Sequence, residues 1–275
     1  MRLCTFRKGA ETAAGILIDG GVLPLAVPDI KTVIEKHTLV ELQELTAQNN
    51  DRLLSPEEVE YTAPYRNPGK IWGIGLNYQN HAADLDEVPP VQGPASFMKP
   101  NTTIVGPGDA IVLPAQSNHV TGEAELGVII GKRCKDVPLD KVHEVIFGYT
   151  TVLDMTAEDI LRQNPRFLTR AKSFDTFFSF GPVVVTADEI RDVTSLSVRT
   201  LRNREVVAEN IVRNMMFSPF ELVAFHSQVM TLEPGDIIST GTPGAAHIQH
   251  GDRIACRITG IGTLESPVID SKANT

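Results

Sequence analysis

This 275-residue chain has little of what a disulfide scaffold, a membrane span or a nucleic-acid surface needs. Its three cysteines, Cys4, Cys134 and Cys256, are odd in number and far apart, which fits neither a disulfide framework nor a thiolate zinc site and suits a reducing cytoplasm. Positive charge is short as well. The 25 Lys and Arg against 34 Asp and Glu give a formal net charge of −9, with no basic stripe to neutralise nucleic-acid phosphates or an anionic membrane. No apolar run approaches a membrane span, and the opening MRLCTFRKGAETAAG is too broken by polar residues for a signal h-region. A cytoplasmic protein with no nucleic-acid or membrane partner is therefore expected. What is plentiful is apolar side chain: at 42% hydrophobic content the chain can bury a full core, so small-molecule chemistry is the better prior.

The order of patterns predicts an α+β fold, predominantly β. Residues 1–26 read as short strands, with a hairpin in TAAGILIDGGVLPLAV and Gly20 and Gly21 at its tip. Between Asp29 and Asn50, Ile30, Val33, Ile34, Leu39, Leu42 and Leu45 keep helical spacing, and SPEEVE then offers a capping box of Ser55 with Glu58. YTAPYRNPG, residues 61–69, has the composition of an extended connection. The expected organisation is a small N-terminal α/β unit over 1–62, a catalytic domain over 63–270 and a frayed tail over 271–275. In the larger part, Pro-Gly punctuation such as VGPGDAIVLP and EPGDIISTGTPG separates many short strands. Three helices are expected there, near 138–145, 156–164 and 218–230, the last opened by Ser218, Pro219 and Glu221 as a capping box.

The stretch GEAELGVIIG, residues 122–131, puts two carboxylates into what otherwise reads as a buried strand. Residues i and i+2 share a face, so Glu123 and Glu125 stand about 7 Å apart at Cα and converge on one point. Partly buried carboxylates without a counterion must take up protons or bind a cation. A second strand candidate, FGYTTVLDMTAEDI, reaches Asp154 where a helix is expected to begin, which makes three oxygen ligands available. Carboxylates with no histidine or cysteine partner favour Mg²⁺, Mn²⁺ or Ca²⁺ over zinc. Spacing alone also allows a plainer interpretation, in which the glutamates are solvated and Asp154 is a helix cap.

With these residues in hand the chain resembles the fumarylacetoacetate hydrolase family, from GKIWGIGLNYQNHAADL to GIGTLESPV. The Glu-x-Glu pair, the later Asp, the KSFD segment in RAKSFDTFFSFGP, TGTP at 240–243 and the closing GIGTL occur in the family's order. The resemblance implies a mixed β-roll or β-sandwich catalytic domain, a homodimer or larger assembly, and a divalent metal, Mg²⁺ or Mn²⁺ with Ca²⁺ as an alternative. It implies Glu123, Glu125 and Asp154 as metal ligands, Lys172 for substrate charge and Thr242 for hydrogen bonding to substrate. His81 corresponds to the family's water-activating histidine, and Asp84 stands where an acidic partner, more often Glu, is expected. Positions 81 and 84 face the same way if YQNHAADL forms a helical turn. The implied chemistry is hydrolytic cleavage of a C–C bond in an acylpyruvate-like or 2,4-dioxo acid to release a 2-oxo acid. Decarboxylation or tautomerisation through the same metal-enolate chemistry is the alternative, and a non-catalytic metal-containing binding protein the third.

One departure bears on the substrate. Many family members follow the metal-binding Asp with VTARDLQ, whereas this chain has DMTAEDIL, with Glu158 at the arginine position and Leu161 at the glutamine position. An anionic group held there elsewhere would be repelled here. Arg162, Arg166 and Arg170 are near enough in sequence to offer a replacement or simply to be solvated.

Overall fold

The computed structural model describes residues 1–18, 20–48, 53–79 and 92–274. Its strands, in chain order, begin with β1 Arg2–Lys8, β2 Glu11–Ile18, β3 Gly21–Pro24, β4 Glu60–Thr62, β5 Ile71–Gly75 and β6 Ala95–Met98. They continue with β7 Ile104–Val105, β8 Ile111–Leu113, β9 Val120–Ile130, β10 Ile146–Ala157, β11 Phe178–Thr186 and β12 Ser197–Arg202. The last are β13 Glu205–Ile211, β14 Ile237–Ser239, β15 Ala245–Ile248, β16 Arg253–Ile258 and β17 Gly262–Asp270. Twelve of them form one sheet ordered β3-β2-β1-β11-β10-β9-β14-β5-β6, with β4, β7 and β15 pairing off this path; five form a second sheet ordered β13-β12-β16-β17-β8. The fold is mixed and predominantly β, as the patterning predicts.

Every residue of β9 and β10 is buried, because these central strands are covered on both faces. On one face Ala124, Leu126 and Val128 belong to a core shared with Val198, Ile254, Cys256 and Leu264 of the smaller sheet. On the other, Ile129, Val152, Phe178 and Phe180 pack with Leu3, Ile16, Ile30, Val33 and Leu42 from the N-terminal segment. That segment is also bonded to the large sheet, since β1 runs antiparallel to β11 with Leu3 opposite Val184.

The N-terminal helices are Ile30–Lys36 and Leu39–Gln48, and the Ser55–Glu58 capping box opens a short 3-10 turn, Pro56–Glu58. The helix Pro219–Val229 starts with the expected Ser218–Glu221 box. Three details differ from the sequence expectation. Leu139–Glu144 is a 3-10 helix behind Pro138 that buries only Val142, too small an apolar stripe to hold a longer α-helix against the core. The helix expected from 156 begins at Glu158, because Met155, Thr156 and Ala157 still pair with Gly122, Thr121 and Val120. Asp154 therefore lies inside the strand. A short helix, Leu168–Lys172, was not expected.

Candidate active site

Register assembles the carboxylates. Asp154 on β10 is directly opposite Glu123 on β9, and Val152 is opposite Glu125, so Glu123, Glu125 and Asp154 share one face. One oxygen from each lies within 4.8 Å of the others. All three are buried.

Each carboxylate is held by further donors. Thr156 donates its hydroxyl to Glu123 at 2.6 Å, with Thr121 at 3.3 Å on the same oxygen. Glu125 accepts from the Ser239 hydroxyl at 2.5 Å and from the Gly241 backbone N–H at 2.9 Å. Gly241 has φ 94°, and a Cβ there would come 2.8 Å from the Cβ of Asn77, so the loop needs glycine to pass this close. Asn77 in turn fixes that loop by donating to the Thr240 carbonyl at 2.8 Å.

Two buried lysines face the cluster. Lys172, at the end of Leu168–Lys172, donates to Glu123 at 2.9 Å and to Asp154 at 2.7 Å, and its ammonium lies 4.9 Å from the centroid of the Phe97 ring. Lys99, two residues after Phe97, donates to Asp154 and to the Met155 carbonyl. Phe97 is opposite Gly73, where a Cβ would fall 2.2 Å from the ring, so the missing side chain at 73 is what admits the aromatic floor. Burial pulls the Lys99 amine down to about 8, helped by Lys172 and resisted by Asp154 and Glu123. For Lys172 burial works the same way, but Asp154, Glu123 and Glu125 outweigh it and hold the ammonium protonated above its ordinary range. Burial pushes Glu125 up to about 8, with Asp154 and Glu123 adding to the push and Lys172 and the Ser239 hydrogen bond opposing it. Among the described residues, two ammonium groups face the three carboxyl groups.

The predicted residues Glu123, Glu125, Asp154 and Lys172 are thus brought together. Thr242 is buried in the neighbouring loop, with its hydroxyl exchanging hydrogen bonds with the Gly244 backbone at 3.0 and 3.2 Å. His81 and Asp84 lie outside the described residues. Lys99 and Ser239 went unrecognised in the sequence, although a single lysine after SFM and a serine immediately before TGTP were the available signals. At the departure from the family pattern, Glu158 pairs with Arg162 at 2.7 Å and with His119 at 2.9 Å, and Leu161 packs against the core. Arg170 lies over the Phe167 ring. Among the described residues no helix is long and apolar enough to cross a membrane.

The chain matches the family model described as fumarylacetoacetate (FAA) hydrolase C-terminal over residues 70–269. It is 32% identical over 289 residues to the mitochondrial oxaloacetate tautomerase of Xenopus laevis, spanning 98% of this chain and 90% of that protein. Its structure is similar to that of a 5-carboxymethyl-2-hydroxymuconate delta-isomerase from Mycobacterium smegmatis, with 34% identity, a TM-score of 0.81 and coverage of 98% of this chain and 99% of that one. It is also similar to maleylpyruvate hydrolase from Sphingobium sp. SYK-6 in complex with manganese(II) ion and pyruvate, with 30% identity, a TM-score of 0.83 and coverage of 98% and 99%.

Proposed function

The chain belongs to the fumarylacetoacetate hydrolase family, and from that premise we propose that it is a metal-dependent hydrolase cleaving a C–C bond in an acylpyruvate-like 2,4-dioxo acid to release pyruvate or a related 2-oxo acid. The observation that carries this reading is the buried cross-strand group of Glu123, Glu125 and Asp154. The donor set fits a divalent ion. It offers hard oxygens only, which suits Mg²⁺ or Mn²⁺ and also admits Ca²⁺. When bound, the ion supplies Lewis-acid polarisation of a keto oxygen.

The remaining roles fall to the chain's own groups. Lys172, steadied on Phe97, presents an ammonium to the substrate carboxylate and to the charge that develops as the enolate forms. Lys99 is positioned beside it through Asp154. Ser239 and the Gly241 N–H fix the orientation of Glu125, and Thr242 turns its hydroxyl from Gly244 toward substrate. By resemblance, His81 takes a proton from water and Asp84 orients the imidazole, so that hydroxide attacks the distal carbonyl. The bond between that carbonyl carbon and the adjacent methylene carbon then breaks, and the released pyruvate enolate takes a proton. The same reading has the protein act in the cytoplasm as a homodimer or larger assembly, with residues 1–62 a small appendage to a catalytic unit over 63–270.

A second reading is tautomerisation of a β-oxo acid through the same enolate, without hydrolytic water. It is favoured by the similarity to an oxaloacetate tautomerase along 98% of this chain. The two separate when purified protein with Mg²⁺ or Mn²⁺ is given a panel of 2,4-dioxo acids and oxaloacetate and the products are resolved. Metal-dependent release of pyruvate together with the second carboxylic acid from a 2,4-dioxo acid supports hydrolysis, whereas keto–enol exchange of oxaloacetate with no cleavage moves the assignment to the tautomerase. Turnover of neither class rejects both.

A further inference from the structure

The face that carries the carboxylates does not end with them. Along β9 the next residue on that face is Thr121, whose hydroxyl touches Glu123, and opposite Thr121 stand Thr156 on β10 and His247 on β15. On β15, Ala246 and Ile248 point into the sandwich core, so His247 looks to the carboxylate side. Its ring is stacked on that of His119, with centroids 4.1 Å apart and planes 2° from parallel. His119 Nε2 meets Glu158 Oε2 at 2.9 Å, and Arg162 meets the other oxygen at 2.7 Å.

This group is built. Glu158 donates its backbone N–H to the His119 carbonyl at 2.9 Å, and Asp159 accepts from the Ser117 hydroxyl at 2.6 Å and the Asn118 N–H at 2.8 Å, which ties the His119 loop to the helix start. Ordered this way, His247 lies one strand repeat, roughly 7 Å, beyond Glu123, and His119 and Glu158, two residues past Thr121 and Thr156, lie a further repeat out. A 2-oxo acid gripped at the carboxylates and extending along the sheet would bring its far end to His247, with His119 and Glu158 behind it.

We propose that the stacked His119–His247 pair, with Glu158 behind it, is the wall that receives the far end of the substrate and selects an uncharged oxygen-bearing group over a second carboxylate. This rests on the function proposed above, in which the 2-oxo end is held at Glu123, Glu125 and Asp154. Glu158 supplies the discrimination. Its oxygens are already taken by Arg162 at 2.7 Å and the His119 ring at 2.9 Å, so a substrate carboxylate arriving there would add an unmatched negative charge, whereas a ketone, ester or hydroxyl would not. Neutral imidazole offers one donor and one acceptor, the complement of such a group. His247 is held neutral below its ordinary range by burial first, then by His119 and Arg202, with Asp252 and Glu158 opposing.

The test measures equilibrium binding by calorimetry to the manganese-loaded protein, with pyruvate, 2-oxoglutarate and the 5-methyl monoester of 2-oxoglutarate as probes. The two larger acids have the same carbon chain and differ in distal charge. The expected result is that the ester binds about tenfold more tightly than the dicarboxylate, as one uncompensated charge predicts. Glu158→Gln should bring the two within about threefold, and His247→Ala should weaken the ester about fivefold or more while pyruvate binding is unchanged. His247→Gln, which keeps a donor and an acceptor, should recover most of the ester affinity and guards against misfolding of the alanine variant. Equal affinity for ester and dicarboxylate in the unsubstituted protein, or a His247→Ala loss that falls equally on pyruvate, overturns the proposal. If pyruvate itself fails to bind with manganese, the proposed function fails and this inference falls with it, whereas pyruvate binding without ester preference rejects the wall alone.

Discussion

One face of the large sheet carries two different environments on the same strands. Toward one end Ile129, Ile237 and Ile71 are sealed under the N-terminal segment, and the seal continues along one side through Val152, Phe180 and Phe178, the last opposite Asp154. Toward the other, Glu123, Glu125, Asp154 and Ser239 replace the aliphatics with no change in backbone periodicity. Val152 and Asp154 are successive residues on that face, so the change from core to site takes one strand repeat. The difference shows that the strands are a rigid comb for either purpose. What covers each tooth decides whether burial stabilises the protein or is a cost offset by fixed charge. Apolar burial adds roughly 25 cal/mol per Å² with no partner required. Buried carboxylates need partners such as the two lysines and the hydroxyls found here.

The largest effect expected from breaking the acidic end is functional. Asp154→Asn should lower kcat/KM more than about 100-fold and weaken Mn²⁺ binding at least as much, since even residues behind a metal ligand cost that much when changed. It should also destabilise the metal-free protein by roughly 3–5 kcal/mol, because Lys99 and Lys172 lose the carboxylate they share. Glu125→Gln should lose metal and activity similarly yet gain stability on the order of 1 kcal/mol without metal, since Glu125 is the carboxyl whose charge the pocket resists most visibly. Urea unfolding beside manganese titration checks both. Equal destabilisation by the two variants would mean that the carboxylates are not divided between lysine-paired and uncompensated roles.

The apolar end should give the opposite pattern. Phe180 is opposite Val152 and meets the Tyr65 ring edge-on at 5.1 Å between centroids. Phe180→Ala should cost about 3–5 kcal/mol by leaving a cavity. Mn²⁺ affinity should stay within about twofold of the original, because no charge at the site changes. A large loss of manganese binding would show that the two ends are mechanically coupled. Between the ends lies Gly73, where Gly73→Ala drives a methyl into the Phe97 ring that supports Lys172. Overpacking should cost about 1–3 kcal/mol. The diagnostic readout is KM for the 2-oxo acid, which should rise as Lys172 loses its floor.

The chain's one-dimensional patterns carried the parts of this arrangement that are local. Gly20 and Gly21 at a hairpin tip, the Ser55–Glu58 and Ser218–Glu221 boxes, and the alternation of Glu123 with Glu125 all depend on neighbours a few residues away. Long-range pairing was not legible. Nothing near Asp154 says that its strand stays in register with Glu123 for three more residues, and nothing near Leu3 says that β1 will close on β11. Lys99 escaped for the same reason: a lysine before a proline reads as the wet end of a strand until the Asp154 carboxylate is brought against it. His119 and His247 meet only because β15 folds back on β9. The family resemblance supplied the role proposed for Lys172, which spacing alone left open.

The smallest effect concerns the opposite side of the sheet and serves as a control on the acidic end. His226, in Pro219–Val229, is buried beside Trp72 with ring centroids 4.7 Å apart; its Nδ1 meets the Leu222 carbonyl at 2.7 Å, and its Nε2 has no partner among the described residues. Burial lowers its pKa below the ordinary 6.5, with the hydrogen bond to Leu222 opposing. The unfolded chain therefore takes up a proton at this position before the folded one does. Stability is intact above pH 6.5 and falls as acidification proceeds from there toward the lower folded value. His226→Gln should flatten that part of the profile, so that between pH 7.5 and about 5.5 its unfolding free energy declines less than that of the unsubstituted protein. The acidic end is present in both proteins and cancels in the difference. Parallel profiles would mean that His226 reaches water or a partner in both protonation states, leaving the acid sensitivity of the fold to the carboxylate face.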